Sequence, residues 1–278
     1  MPRDPATGSM AETEARNPRT RDLDRLALGE LLGLLVDEHA GVVSAVQAAL
    51  PELERAAALL CATLESGGRW LYAGAGTSGR LAAADAAELP PTFGSDPALV
   101  QCVLAGGEIA LQRAVEGAED DPAASRAELA RRGLGPRDAV VALSASGSTP
   151  FAVAALEYAR ERRAHSIAIT CAAGSTLAAI ADVAIVARVG PEPIAGSTRM
   201  KAGLAQKLML NVLSSAVMVR LGHVEGNLMT GLRPGSAKLR ERGTRILCEL
   251  TGCTPERAKD LLASKGNLAA ALASLREE

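Results

Sequence analysis

Two short segments rich in glycine and hydroxyl side chains carry the residue types best suited to chemistry. The first, residues 74–80 with the sequence GAGTSGR, lies between an apolar run that starts at Trp70 and an alanine-rich segment that favours a helix. A turn between a strand and a helix presents backbone N–H groups at the positive end of the helix dipole, which attracts anions. Gly76, Thr77 and Ser78 are therefore candidate ligands of a phosphate group.

The same glycines also match the GxGxxG fingerprint of dinucleotide-binding folds. Such a fold should place an acidic residue about 20 residues further on, at the end of the second strand, to bind the ribose. The next predicted strand, residues 99–104, ends instead in Ala-Gly-Gly. A phosphate monoester therefore fits this segment better than a dinucleotide, and a tight turn without a ligand is the third alternative.

The second segment, residues 144–150 with the sequence SASGSTP, follows a predicted strand at 139–143 and precedes a helix predicted over 151–162. Alone, a hydroxyl-rich turn of this kind can be ordinary turn chemistry. Two such segments at the carboxyl ends of parallel strands should converge on one ligand. The further candidate ligands of a sugar phosphate are Ser144, Ser146, Gly147, Ser148 and Thr149.

Short apolar strands alternate with helices through the middle of the chain, which predicts an α/β doubly wound, mainly five-stranded parallel sheet. We expect residues 1–21 to be a mobile tail or an arm. Residues 22–250 should form the sheet domain with its N-terminal helices, and residues 251–278 a small helical module. Pro90 and Pro91 are expected to end the helix that follows the first strand. The remaining predicted strands lie at residues 166–170 and 183–189.

Composition is that of an ordinary globular protein, with 48% apolar residues, 22% charged residues and a net charge of −2. This charge gives no argument for nucleic acid or an anionic membrane as a partner. Five scattered cysteines and three histidines show no metal-ligand spacing, so we predict no metal and free, buried thiols in a reducing compartment. The sequence shows no signal peptide and no apolar run of membrane-spanning length, and predicts a cytoplasmic protein.

Two charged clusters break local rules of helix electrostatics. Residues 107–121 read as a helix, yet four acidic residues gather at its C-terminal end, where the dipole disfavours them; this favours a functional carboxylate over a merely solvated end. Ser197 and Thr198 are candidate caps of a long helix that starts near Met200. A cation in the first turn of this helix is unfavourable without a nearby anion, so Arg199 and Lys201 are candidates to neutralise the charge of a ligand, with a surface pair as the alternative. Ser197 and Lys201 are the candidate ligand-binding residues of this segment.

Several motifs, taken in chain order, resemble those of the N-acetylmuramic acid 6-phosphate etherases. The resemblance runs from about Thr13 to the C-terminus. The motifs lie at residues 13–17, 74–80, 85–92, 114–120, 144–150 and 196–207.

The resemblance implies a sugar isomerase (SIS) domain, a homodimer and no cofactor. It also implies cleavage of the lactyl ether of N-acetylmuramic acid 6-phosphate to N-acetylglucosamine 6-phosphate and D-lactate. The family's acid falls on Glu88, and its second catalytic carboxylate falls on Glu119. The sequence departs from the family at Gly231 and Ser236, where an aspartate and an asparagine are usual, which puts contacts from that loop in doubt.

Elimination gives both carboxylates a role. In the open-chain sugar the C2 proton lies next to an aldehyde and the ether oxygen lies one carbon further. A base can therefore remove the proton while an acid protonates the departing lactate. Two carboxyl groups with different pKa values suffice for these steps. We assign Glu119 as the base and Glu88 as the acid, which then acts as the base for water.

The sequence spacing separates Glu88 from the predicted phosphate-binding turn within one chain. On a continuous helix Glu88 lies about 15 Å beyond Ser78, too far for a hexose phosphate to bridge. Either the helix breaks early or a partner chain completes the site, and we predict a site at the interface of a homodimer. Two rival functions stay open: a non-catalytic sugar-phosphate sensor, as in the glucokinase regulatory protein, and an aldose–ketose phosphosugar isomerase.

Overall fold

A parallel five-stranded sheet forms the centre of the computed structural model, which describes residues 12–232 and 234–277. The strand order is β2-β1-β3-β4-β5. This confirms the predicted α/β doubly wound sheet. The strands are β1 (Trp70–Gly74), β2 (Val100–Leu104), β3 (Ala139–Leu143), β4 (His165–Thr170) and β5 (Val183–Val186).

Helices surround this sheet, and a small hairpin precedes a C-terminal group of three helices. The helices are α1 (Leu28–His39), α2 (Val42–Gln47), α3 (Leu50–Glu65), α4 (Gly76–Phe93), α5 (Pro122–Arg131), α6 (Pro150–Glu161), α7 (Thr176–Ile180), α8 (Lys201–Arg220), α9 (Ala237–Thr251), α10 (Pro255–Lys265) and α11 (Leu268–Glu277). The hairpin pairs β6 (Val224–Glu225) with β7 (Leu228–Met229).

The core has two layers because successive strand residues point to opposite faces of the sheet. On one face Trp70 and Tyr72 of β1 pack with residues of α2, α3, α4 and α8. On the other face Leu71 and Ala73 pack with residues of α5, α6 and α7. All five residues of β1 are buried. Helices thus cover both faces and leave the carboxyl edge of the sheet for a site.

Helix α4 is longer than predicted at both ends. It begins at Gly76, so most of the predicted glycine-rich turn is its first helical turn. The prediction that Pro90 and Pro91 end this helix is wrong, because it continues to Phe93 and is closed by Gly94 in the left-handed region. Two prolines near the end remove only two hydrogen bonds, and the buried side chain of Phe93 offsets that loss.

The segment between β2 and α5 also differs from the prediction. Residues 107–121 contain two short 3₁₀ turns, Glu108–Leu111 and Ala118–Asp120, in place of one helix. Gly107 and Gly117 precede these turns with φ of 67° and 74°, a conformation that interrupts a right-handed helix. Most of this segment is exposed.

The N-terminal and C-terminal regions differ in how they attach. In the predicted tail or arm, residues 12–21 lie against the body as an arm, and residues 1–11 lie outside the described residues. Asn17 donates to Glu38 of α1, and Thr20 donates to the carbonyl of Pro193. The C-terminal helices α9, α10 and α11 share a separate hydrophobic cluster. The module predicted at 251–278 therefore shares its core with α9.

Helix α8 is long and apolar enough to span a membrane by length and composition, and so is the bent pair of segments Leu28–Gln47 and Leu50–Glu65 taken as one span. In α8, 56% of the apolar window is buried inside the protein, as expected for a core helix. All five cysteines are free, but only Cys171 is buried and the others are partly exposed, so the prediction of buried thiols is too broad.

Candidate active site

The carboxyl ends of β1 and β3 lie side by side, with Gly74 opposite Leu143. The chain runs from β1 to β2 on one side and later returns to β3 on the other, so the strand order reverses between β1 and β3. In open parallel sheets, ligands bind in the crevice at such a reversal. Both predicted hydroxyl-rich segments directly follow these two strands, and the structure therefore brings them together.

The first segment forms the N-terminal turn of α4. The N–H of Gly79 donates to the carbonyl of Ala75 at the start of the helical ladder. The N–H groups of residues 76–78 precede that ladder and can meet an anion. A Cβ at Gly79 would lie 2.5 Å from the oxygen of Gly74, so glycine lets this turn pack directly on the end of β1.

The second segment is a compact loop held by its own hydroxyls. The Ser144 Oγ accepts the N–H of Gly147 at 3.0 Å and lies 2.8 Å from the Thr149 Oγ1. The Ser146 Oγ lies 3.0 Å from the Ser148 Oγ. Gly147 has a φ of 66°, which glycine adopts without strain. Ser146 and Thr149 are partly exposed and Ser148 is exposed, so these hydroxyls can reach a ligand.

Ser78 contacts a residue that sequence analysis missed. Its Oγ donates to the Oε1 of Gln206 on α8 at 2.8 Å. Gln206 is 1% exposed, and among the described residues its Nε2 has no hydrogen-bond partner. The sequence does hint at this role, because Gln206 is a polar residue on the buried face of α8 beside Ala205 and Met209.

An internal carboxylate stabilises the start of α8. Glu192 is fully buried and accepts the N–H groups of Lys201 at 2.8 Å and Ala202 at 2.9 Å. The Lys201 ammonium lies 3.4 Å from a carboxylate oxygen of Glu38. The anion predicted beside Lys201 is thus supplied by the protein itself as Glu38, and a second carboxylate, Glu192, binds the backbone at the start of α8.

The prediction that Ser197 or Thr198 caps α8 is wrong. The N-cap residue is Met200, without a side-chain hydrogen bond, because the carboxylate of Glu192 takes that place. Ser197 is partly exposed in the preceding turn. Contact of Ser197 or Lys201 with a ligand stays a prediction.

The two predicted catalytic carboxylates are both exposed in the isolated chain. Glu88 lies on α4, which is continuous from Gly76 to Phe93. The helix does not break between Ser78 and Glu88, so the axial separation of about 15 Å stands. Glu119 lies in the 3₁₀ turn Ala118–Asp120, which packs against α6, the helix that follows the second loop. The structure thus places Glu119 in a turn beside α6 and Glu88 on α4 about 15 Å from Ser78, and the catalytic roles of both stay predictions.

A buried carboxylate one helical turn before Glu88 was also missed. Asp85 accepts the hydroxyl of Tyr72 at 2.8 Å and that of Ser214 at 3.1 Å. Burial raises the pKa of the Asp85 carboxyl, although both hydrogen bonds oppose the shift. Burial and the neighbouring Asp85 charge likewise raise the pKa of Tyr72 well above its usual value. This network fixes α4 to β1 and α8.

Residues 52–160 match the model of the glucokinase regulatory protein N-terminal SIS domain, and residues 125–216 match the SIS domain model. A Gloeobacter violaceus protein named N-acetylmuramic acid 6-phosphate etherase is 49% identical over 254 residues, 91% of this chain and 83% of its own. A Mycolicibacterium smegmatis protein of the same name is 47% identical over 256 residues, 92% of this chain and 86% of its own. The chain belongs to the N-acetylmuramic acid 6-phosphate etherase family. This confirms the predicted resemblance.

Solved structures outside the etherase family share the fold. A phosphoheptose isomerase from Francisella tularensis superposes with a TM-score of 0.56 at 18% identity, covering 70% of this chain and 100% of that chain. An Escherichia coli CFT073 protein in complex with A5P superposes with a TM-score of 0.52 at 18% identity, covering 73% and 97%. At these identities the likeness establishes the SIS fold alone.

The two departures from the usual etherase pattern have local structural reasons. A Cβ at Gly231 would lie 1.8 Å from the carbonyl oxygen of Phe93, so this backbone leaves no room for an aspartate. Ser236 caps α9, because its Oγ accepts the N–H of Leu239 at 3.2 Å. Serine and asparagine cap helices about equally well, so the second departure preserves a capping residue.

Proposed function

We propose that this chain is an N-acetylmuramic acid 6-phosphate etherase, a carbon–oxygen lyase that acts in amino sugar recycling from the cell wall. The observation that carries the proposal is the pairing of β1 with β3, which brings two hydroxyl-rich segments to one crevice in a chain of this family. We assign the substrate phosphate to the N-terminal turn of α4 and the loop at residues 144–149. These segments supply backbone N–H groups and neutral hydroxyl donors, which suit a phosphate dianion.

The reaction proceeds on the open-chain aldehyde. Glu119 removes the C2 proton, the electron pair forms a C2–C3 double bond, and the C3–O bond breaks as Glu88 gives a proton to the departing lactate oxygen. Glu88, now ionised, takes a proton from water as the water oxygen attacks C3, and Glu119 returns its proton to C2. Each proton transfer of this kind contributes roughly 10²–10⁴-fold to the rate.

A second copy of the chain completes the site in this proposal. Glu88 and Ser78 stand about 15 Å apart on one unbroken helix. If two α4 helices pack antiparallel about a twofold axis, Glu88 of one protomer reaches the Ser78 turn of its partner. The surface beside Glu88 is suited to such a contact, because α4 and α8 pack together and expose small or apolar side chains. These are Ala84, Ala87, Leu204, Val212 and Val219.

The first test is the release of D-lactate from N-acetylmuramic acid 6-phosphate by the purified protein, with Glu88→Gln as the control variant. We expect lactate from the wild type alone. Binding of the sugar phosphate without lactate would favour the sensor, and interconversion of an aldose and a ketose phosphate would favour the isomerase.

Two further measurements test the residue roles and the assembly. The Glu88→Gln variant should still exchange the C2 proton with solvent, while Glu119→Gln should lose that exchange; the opposite pattern would reverse the two roles. Sedimentation should show a dimer, and a fully active monomer would contradict the shared site. A fractionation experiment should place the enzyme in the cytoplasm.

A further inference from the structure

Gln206 is a buried amide whose only polar contact among the described residues is with a hydroxyl of the proposed phosphate site. Its Oε1 accepts the Ser78 hydroxyl at 2.8 Å, and its Nε2 has no partner there. The contact is local to the crevice, because a Cβ at Gly203, one turn earlier on α8, would lie 3.5 Å from the Cγ2 of Thr77. The first turns of α4 and α8 therefore pack against each other at this point.

The direction of this hydrogen bond matters for binding an anion. A serine hydroxyl has one proton, so while Ser78 donates to Gln206 it cannot also donate to a phosphate oxygen. Rotation of the carboxamide by 180° exchanges its oxygen and nitrogen. The Nε2 then donates to the Ser78 Oγ, and the serine proton becomes free to point into the crevice.

We propose that Gln206 is a positioning residue that sets the donor direction of Ser78, and that its amide turns over when a phosphate group binds. In the free enzyme the hydroxyl donates to Oε1, as the structure shows. In the complex, Nε2 donates to the hydroxyl and the hydroxyl donates to the phosphate. Donation into Ser78 also strengthens its outward hydrogen bond, since linked hydrogen bonds polarise one another. This inference rests on the proposed assignment of the phosphate to the α4 turn.

Two substitutions of nearly the same size separate this role from simple packing. Ionised Gln206→Glu supplies only acceptors, so at a pH high enough to ionise it the variant should hold the Ser78 proton away from the substrate and raise KM by about 10- to 100-fold, the loss of one hydrogen bond to a charged group. Gln206→Met removes the acceptor and leaves the Ser78 proton free, so its KM should rise much less. In both variants kcat should change far less than KM.

A merely structural role predicts the reverse order. Glutamate keeps the observed hydrogen bond between α4 and α8, whereas methionine loses it. A larger KM increase for Gln206→Met than for Gln206→Glu would therefore overturn the proposal. Gln101→Glu is the matched control: it makes the same change on β2, where the side chain accepts from Arg132, and should leave KM unaltered.

Thermal unfolding and circular dichroism establish that each variant is folded. If Gln206→Glu does not fold, Ser78→Ala takes its place, and the proposal fails when Gln206→Met raises KM as much as Ser78→Ala does. Inhibition constants for inorganic phosphate should follow the same order. Phosphate binding measured by calorimetry tests the role of Gln206 separately from the proposed etherase activity. It reports on Gln206 even if the wild type releases no lactate.

Discussion

Gly231→Ala should destabilise this protein although it adds a single methyl group. The added Cβ would lie 1.8 Å from the carbonyl oxygen of Phe93 and 2.5 Å from its carbonyl carbon. The opposing contact is equally close, since a Cβ at Gly94 would lie 1.8 Å from the oxygen of Gly231. Both neighbours are backbone atoms, so no side chain can rotate away to make room.

The magnitude follows from the displacement required. Real Cβ contacts do not fall below 3.0 Å, so the two segments must separate by at least about 1.2 Å. Overpacking of this kind costs about 1–3 kcal/mol. For a chain of this size that corresponds to a fall in Tm of about 2–12 °C. Gly231→Asp, which restores the usual etherase residue, should be at least as damaging.

Gly235→Ala is the matched control in the same loop, because a Cβ there would meet nothing within 4 Å. Replacing an unstrained glycine by alanine stabilises by about 0.4–1 kcal/mol through the unfolded chain. Calorimetry of both variants should therefore give Tm shifts of opposite sign. Equal Tm values for Gly231→Ala and Gly235→Ala would refute the reasoning, as would a gain in stability from Gly231→Asp.

Three further substitutions test buried charges. Asp85→Asn should become more stable relative to the wild type as the pH rises above 3.8, the ordinary pKa of an aspartate. Burial raises the pKa of Asp85 in the folded state, so ionisation destabilises the wild type and not the variant. Urea unfolding at several pH values measures the difference. Glu192→Gln should cost about 1–3 kcal/mol in urea unfolding, since two buried N–H groups lose a charged acceptor. Lys201→Met should lower the free energy of unfolding by about 1–3 kcal/mol. This is less than the cost of breaking an isolated buried ion pair, because Asn17 and Arg19 still contact Glu38. An increase in KM without a loss of stability would instead indicate that Lys201 contacts the phosphate.

The sheet could be predicted from the sequence because its signals are local. Each strand is a short apolar run, and β1, β3 and β4 end at or directly before a glycine or hydroxyl residue. β1 and β3 start and end close to the predicted positions. The position of both hydroxyl-rich segments directly after parallel strands also predicted that the two segments meet, since the carboxyl ends of parallel strands share one edge of the sheet. Strand pairing then supplied the specific neighbours, Gly74 and Leu143.

The parts of the site that could not be predicted depend on contacts between distant segments. Glu192 stabilises the start of α8 from a turn before it, and Gln206 meets Ser78 across 128 positions of sequence. The persistence of α4 through Pro90 has the same origin, because buried residues around the prolines hold the helix in place. Local propensity favoured an earlier end, and tertiary packing outweighed it.

The position of Glu88 is the feature that best separates an etherase from the other functions of this fold. A crevice lined by hydroxyls binds a sugar phosphate in a sensor, an isomerase or an etherase, and one base beside C2 serves an isomerase as well. Cleavage of the ether needs a second group that protonates the departing oxygen. In the proposed mechanism Glu88 supplies this group from a partner chain, because α4 is continuous between Ser78 and Glu88. Inactive Glu88→Gln should therefore recover activity when it is mixed with Ser78→Ala/Ser144→Ala, a variant impaired in phosphate binding. In a mixed dimer the first protomer supplies intact phosphate-binding segments and the second supplies Glu88. No recovery on mixing, with exchange of subunits verified, would place both groups in one chain and require α4 to bend.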